Sequence, residues 1–172
     1  STEMCNPLNQ LTPRLSIAYA VGEKSSLNFN IGQYFQLPAY TVMGYENNLG
    51  DLVNKNNGIT FINNKQIVFG LETNPGNFTI ITVEGFYKRY NNYPFVLGDS
   101  ISLANLGGNF GVIGNEAVNS SSQGRSYGIE FLAQKKLNKS FYGILAYTWV
   151  RSEFKDKYNA FVPSAWDNKH II

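Results

Sequence analysis

Apolar and polar residues alternate with a period of two in six stretches of the chain. Side chains of a β-strand point alternately to the two faces of its sheet, so this alternation predicts strands, while helical periodicity is scarce. The predicted strands occupy residues 14–21, 26–35, 65–73, 78–90, 125–136 and 141–152, and a seventh begins at His170-Ile171-Ile172, where the chain is expected to stop inside it. The pattern indicates an all-β protein.

Short and long connections alternate between these strands. Short turns are predicted at 22–25, 74–77 and 137–140, whereas polar stretches rich in Gly and Asn fill 36–64, 91–124 and 153–168. Tight turns at one end and long loops at the other are typical of a transmembrane β-barrel with periplasmic turns and extracellular loops. The order therefore predicts an antiparallel up-and-down meander that forms part of a transmembrane β-barrel.

The two faces of the predicted strands differ in polarity. Residues 27, 29 and 31 are Leu, Phe and Ile, while residues 28, 30 and 32 are Asn, Asn and Gly, and other strands repeat this division. The first parity suits lipid and the second a polar lumen. A soluble sheet with one face on a core gives the same alternation, so a secreted β-sandwich that binds carbohydrate or protein is the alternative. The two folds differ in where the apolar side chains lie: in a sandwich they pack against a second layer, and in a barrel they form an outward band.

Aromatic residues are 15% of the chain, and several gather near the strand ends that meet the long loops. In a membrane barrel such residues form interfacial girdles, although core and loop-anchoring aromatics would give the same grouping. The grouped residues are Tyr34, Phe35, Tyr87, Tyr90, Tyr93, Trp149 and Phe154.

Charge and candidate chemistry narrow the function classes. The net charge of +2 comes from interspersed acids and bases, so no basic patch for nucleic acid is expected. Cys5 and His170 are the only residues of their types, which argues against a disulfide framework, a catalytic triad and a His/Cys metal site. No apolar run reaches about 18 residues, so no transmembrane helix is expected. We therefore expect neither an enzyme nor a bound cofactor.

Several strings, in order along nearly the whole chain, resemble the C-terminal β-barrel portion of TonB-dependent outer-membrane receptors, and are most similar to those of Bacteroidetes. The strings are Pro13-Arg14-Leu15-Ser16, Gly32-Gln33-Tyr34-Phe35-Gln36-Leu37-Pro38, Gly70-Leu71-Glu72, Glu84-Gly85-Phe86-Tyr87-Lys88-Arg89-Tyr90, Gly124-Arg125-Ser126-Tyr127-Gly128-Ile129-Glu130, Tyr147-Thr148-Trp149-Val150-Arg151-Ser152 and Trp166-Asp167-Asn168-Lys169-His170.

The resemblance implies a barrel of about 22 strands in the bacterial outer membrane, closed by an N-terminal plug domain. It implies that a scarce nutrient, such as an iron chelate, a cobamide or a glycan, is imported with energy transmitted by TonB. Residues 1–172 would then be a barrel fragment of six strands plus the start of a seventh, without signal peptide, plug or TonB-contacting segment. The partners implied are the TonB complex and plug, outer-membrane lipid and a small-molecule or oligosaccharide ligand. A structural or adhesion barrel without TonB coupling is a further alternative, against which only these strings argue.

Two glutamates are candidates for contact with the plug. Glu84 lies seven residues after one short turn and Glu130 seven residues before the next, so both are expected at similar heights on the inner wall. By the family resemblance they would pair with plug arginines through charge-assisted hydrogen bonds. Two solvated lumen carboxylates without assigned partners are the alternative.

Ligand recognition is expected in the loops 36–64 and 91–124. Tyr40, Tyr45 and Tyr93 offer stacking faces there, and many Asn side chains offer amide hydrogen bonds, which suit sugars or organic chelates. A non-specific polar loop surface has the same composition, and loops vary freely on a fixed scaffold. The sequence therefore leaves the ligand undetermined.

Overall fold

The chain forms a single sheet, seen in a computed structural model that describes residues 4, 6–76, 78–106, 114–138 and 141–172. Cys5 and the tip of the third predicted short turn, residues 139–140, lie outside the described residues. The strands are β1 Arg14–Ala20, β2 Ser25–Gln36, β3 Ile62–Gly76, β4 Thr79–Val96, β5 Ile101–Ser102, β6 Val118–Asn138, β7 Phe141–Lys155, β8 Phe161–Pro163 and β9 Lys169–Ile171. One-turn helices α1 Tyr40–Met43 and α2 Val53–Asn56 lie between β2 and β3.

Neighbouring strands are antiparallel and follow the order β1-β2-β3-β4-β6-β7-β8, with β5 paired to β4 and β9 paired to β7. This is the predicted up-and-down meander, and in the described residues the sheet is not closed into a barrel. The predicted seventh strand corresponds to β9, which pairs with β7 through Trp149 and His170. β8, predicted as part of a long loop, also pairs with β7.

Strands extend further toward the long loops than the alternation predicts. β4 continues to Val96 instead of ending near residue 90, and β6 begins at Val118 instead of 125. The extensions pair with each other, for example Tyr93 with Ser122. The β6 extension is mostly polar, and the β4 extension has two Asn residues followed by Tyr, Pro, Phe and Val, so neither alternates with a period of two. Backbone N–H and C=O groups still pair as a ladder there.

The register aligns the apolar parity of successive strands on one side of the sheet, which we call the apolar face. Ile17, Phe29 and Phe69 are direct cross-strand neighbours in one of its rows. Phe69 is 54% exposed and Ile129, further along the sheet, is 51% exposed. In the described part of the chain no second layer covers this face, because all the strands belong to one sheet. The structure therefore has the outward band expected of a barrel wall, and the β-sandwich alternative is wrong.

The aromatic residues near the strand ends divide between the two faces. Tyr87 and Trp149 flank Tyr127 on the apolar face, with ring centroids 6.4 Å and 6.0 Å from it. Tyr90 and Phe154 stack at 5.6 Å on the other side, which we call the polar face. The expectation of one interfacial girdle is wrong for Tyr90 and Phe154. Residues one position apart along a strand point to opposite faces, so aromatic residues at similar heights need not share a face.

A small hydrophobic core lies at the long-loop end of the sheet. Its buried side chains come from α1, the segment before β3, the end of β4, the turn after β5 and the start of β6. We call Val42, Ile59, Val96, Leu103 and Val118 the loop core. No helix among the described residues has the length and apolar character needed to cross a bilayer.

Candidate functional site

Glu84 and Glu130 occupy neighbouring positions on the polar face. The register of β4 and β6 makes them direct cross-strand partners, at the same height on the wall, as the spacing predicts. Cβ atoms of directly opposed residues lie about 4.5–5.5 Å apart, and like charges at that separation repel. Within the described residues neither carboxylate forms an ion pair or hydrogen bond. The wall thus presents two adjacent carboxylates to which no described residue is bonded.

The Glu84 side chain extends over β3, where its cross-strand neighbour is Gly70. A Cβ atom at residue 70 would lie 3.1 Å from Glu84 Cγ and 3.2 Å from Glu84 Oε1. Glycine therefore leaves the space in which this carboxylate lies. A shallow depression of about 430 Å³ extends from Glu84 and Glu130 to Glu72. Glu72 lies on the same face, in the next row of side chains toward the short turns. Three carboxylates on adjacent strands give this part of the polar face a local negative charge.

The three candidate ligand tyrosines occupy different environments. Tyr40 begins α1 and is 82% exposed, so its ring is free to stack against a ligand. Tyr45 is half-buried, and its backbone carbonyl accepts a hydrogen bond from the N–H of Val53. Tyr93 lies in β4 and not in a loop, with its ring 4.7 Å from that of Phe154. Its predicted loop position is wrong, because β4 continues to Val96 through residues that do not alternate with a period of two.

Asn54 links the two long connections, and sequence reasoning missed it. Its buried side-chain amide donates to the carbonyl oxygens of Val42 at 2.7 Å and Glu116 at 2.9 Å. Its Oδ1 accepts from the N–H of Val118 at 2.8 Å. One side chain thus satisfies three backbone groups beside the loop core. The sequence signal for a loop core was the isolated apolar residues in otherwise polar loops. That signal does not show which of the many Asn side chains joins the two connections.

A row of polar and charged side chains crosses the apolar face where the apolar band ends toward the long loops. The register places Gln33 beside Lys65, Lys65 beside Arg89, Arg89 beside Arg125 and Arg125 beside Glu153. We call these five residues the boundary row. Charged residues at the edge of an apolar band mark the transition from hydrocarbon to the polar interface. Sequence reasoning did not identify this row, because it requires the register of four strand pairs.

The β7 end of the boundary row is tied by ion pairs to the segment between β8 and β9. Glu153 binds Arg125 at 2.8 Å and Arg151 at 3.1 Å. Asp167, whose side chain is 3% exposed, binds Arg151 at 3.1 Å and accepts from the N–H of Ser152 at 2.7 Å. These charges compensate one another and fix the start of the seventh strand on β7.

The described residues contain no group of three or more His, Cys, Asp or Glu side chains arranged to hold a metal ion. His170, the one histidine, lies on β9 with its Nδ1 2.8 Å from the Tyr147 hydroxyl.

Comparison with known proteins agrees with this architecture. Residues 5–169 match the family model described as TonB dependent receptor-like, beta-barrel. No curated protein sequence matches the chain. Among solved structures, the alcaligin outer membrane receptor FauA from Bordetella pertussis is similar, with 15% identity and a TM-score of 0.54 over 91% of this chain and 24% of that one. The copper transporter OprC is similar with 14% identity and a TM-score of 0.57 over 87% of this chain and 22% of that one.

The chain thus spans about a quarter of the length of each of these two proteins, and at such identities the likeness concerns the fold. The family match, in contrast, covers nearly every residue. It agrees with the antiparallel meander, the exposed apolar face and the long connections at one end. The chain belongs to the TonB-dependent receptor family and forms part of its β-barrel.

Proposed function

We propose that residues 1–172 are a barrel fragment of an outer-membrane receptor that binds a scarce nutrient and imports it with energy transmitted by TonB. The observation that carries the proposal is the two-faced sheet. Its apolar face is exposed, with no covering layer among the described residues. Its polar face carries carboxylates that bind no described residue, and its long connections pack together at one end. Such a wall has lipid on one side and a plugged lumen on the other.

The nutrient is proposed by class only. FauA is by its name a receptor for alcaligin and OprC a copper transporter, so proteins of this fold serve different ligands. We propose an iron chelate, a cobamide or a glycan for this receptor. The test supplies each class as the sole source of the nutrient to cells that carry or lack the complete gene. Growth that requires both the gene and TonB supports coupled import, whereas growth that requires the gene but not TonB contradicts it.

Glu84 and Glu130 are proposed to hold the plug. Two adjacent carboxylates that form no bond with any described residue are complementary to arginine side chains, whose guanidinium groups bind carboxylates in a bidentate geometry. Pairing would also relieve the repulsion between the two charges. Such contacts can hold a plug and still release it when it is pulled.

The experiment for this role uses the full-length receptor with Glu84→Gln and Glu130→Gln combined. Glutamine keeps the shape and removes the charges, so we expect the plug to dissociate more readily, at lower denaturant concentration in a plug-binding assay. Glu23→Gln combined with Asp99→Asn is the matched control, because both residues are exposed and lie in connections away from the wall. Unchanged plug binding in the Glu84 and Glu130 variant would contradict the proposed pairing with plug arginines.

For the ligand, Tyr40 is the strongest of the three candidate contacts. Its exposed ring at the long-loop end is available for stacking, while the Tyr45 and Tyr93 rings are partly covered by the protein. Loss of one aromatic stacking contact costs about 0.5–1.5 kcal/mol, or roughly a twofold to twelvefold increase in Kd. Tyr40→Ala is therefore expected to weaken ligand binding more than Tyr93→Phe, measured with the full-length receptor once growth has identified the ligand.

A further inference from the structure

The boundary row contains two cations that nothing in the described structure neutralises. Arg125 is bound to Glu153 at 2.8 Å, and the Arg125 guanidinium lies 4.0 Å from the centre of the Phe161 ring. Lys65 and Arg89, in contrast, form no ion pair or hydrogen bond with any described residue. Both are exposed, and they are direct cross-strand partners on the apolar face.

Two like charges at directly opposed positions of an antiparallel pair destabilise the sheet unless an anion lies between them. A phosphate group fits this requirement, because it can accept hydrogen bonds from both a lysine ammonium and an arginine guanidinium. The two side chains project from adjacent strands at the same height. They can therefore bind one anion together, which neither would hold as tightly alone.

An apolar groove begins directly below these cations. It has a volume of about 600 Å³, and its lining includes Leu15, Ile31 and Ile67 together with Lys65 and Arg89. The first three are neighbours in one row across β1, β2 and β3, and Tyr87 continues that row on β4. The groove is thus apolar along the band and cationic at its long-loop end.

We propose that this groove binds a phosphate-bearing lipid of the outer leaflet, with the phosphate against Lys65 and Arg89 and an acyl chain along Leu15, Ile31 and Ile67. The inference rests on the proposed outer-membrane location, which places the long-loop end of the sheet at the outer leaflet. Charge complementarity selects the headgroup, and the apolar row selects an amphiphile. Free phosphate would gain only the exposed charges, which salt screens over about 8 Å at physiological ionic strength.

The test uses the full-length receptor, purified in detergent and incubated with lipid A before and after removal of its phosphate groups. Bound lipid is counted by native mass spectrometry. The wild-type receptor should retain the phosphorylated form in preference to the dephosphorylated form, and inorganic phosphate should compete poorly. Lys65→Gln combined with Arg89→Gln should lower retention of the phosphorylated form about tenfold, since each cation near a lipid headgroup contributes a favourable charge interaction.

The matched control is Lys88→Gln combined with Lys135→Gln, which removes the same charge. Lys88 precedes Arg89 but lies on the polar face, and Lys135 lies on the apolar face at the short-turn end of β6. Lipid retention by the control should stay within about twofold of wild type. Equal losses in both double variants, or no loss in either, would overturn the proposal.

Two further results keep the inference separate from protein assembly and from the proposed function. The first uses the wild-type receptor and does not depend on whether the variants fold. Equal retention of the phosphorylated and dephosphorylated lipids would contradict the lipid site. The charge-retaining exchange Lys65→Arg with Arg89→Lys should restore at least part of the binding. Cell fractionation tests location independently: a receptor absent from the outer membrane contradicts the proposed function, whereas an outer-membrane receptor without phosphate-dependent binding contradicts this inference alone.

Discussion

Replacing Asn54 with aspartate tests whether the two long connections fold as one unit. The exchange keeps the size of the side chain and the Oδ1 acceptor for the N–H of Val118. It replaces the donating amide with a second oxygen, which would face the carbonyl oxygens of Val42 and Glu116 at 2.7 Å and 2.9 Å. Two hydrogen bonds are lost, and the two carbonyl oxygens face a new oxygen that cannot donate to them.

The expected effect follows from the burial of this side chain, which has no exposed surface. A buried polar group left without its partner costs about 1–3 kcal/mol, so two such losses predict about 3 kcal/mol or more of local destabilisation. Each 1.4 kcal/mol corresponds to a factor of ten, so local opening should become roughly a hundredfold more frequent. The sheet below should not change, because its ladder does not include Asn54.

Hydrogen–deuterium exchange on the full-length receptor measures this opening segment by segment. The backbone around Val42 and Val118 should exchange faster in Asn54→Asp, while the central parts of β3 and β6 keep their wild-type rates. Asn56→Ala is the matched control, because Asn56 is exposed on the same helical turn. Exchange that is unchanged near Val42, or raised equally throughout the sheet, would refute the idea that one amide joins the two connections.

Three other substitutions test separate parts of the structure. Gly114→Ala should destabilise the loop core by about 1–3 kcal/mol, because Gly114 has φ of +86° and an added Cβ would collide with Val42, and limited proteolysis of the loops measures the change. Phe69→Arg should impair barrel assembly by about 2–4 kcal/mol in reversible folding into vesicles, since it places a charge in the apolar band, whereas Asn28→Arg on the polar face should not. Asp167→Asn should raise hydrogen exchange in residues 161–171 by roughly tenfold, because it removes the charge that holds an arginine of β7.

The meander was predictable from sequence because the two faces of a barrel wall impose opposite requirements on alternate residues. Leu27 and Phe29 on one face, with Asn28 between them on the other, mark β2 as a wall strand without any knowledge of its neighbours. The start of β6, residues 118–124, carries no such contrast, because residues 119–123 are polar on both faces. Its backbone pairing became visible only in the structure.

The candidate site was predictable to the extent that it depends on distance from a turn. Counting residues from two short turns placed Glu84 and Glu130 at one height, because the turns lie at the same end of the sheet and strands rise by nearly equal steps. The position of Asn54 depends instead on contacts more than 60 residues apart in sequence, between α2 and β6. That Lys65 and Arg89 are direct cross-strand neighbours could be seen only from the register between β3 and β4.

The packing of the loop core bears on how this receptor can change during evolution. A loop that contacts only water can lengthen, shorten or be exchanged without regard to its neighbours. Here residues from both long connections bury one another, and Asn54 bonds directly to the far connection. An insertion in one connection must therefore preserve its fit against the other. We expect the two connections to be inherited and replaced together, while the wall beneath them stays the same.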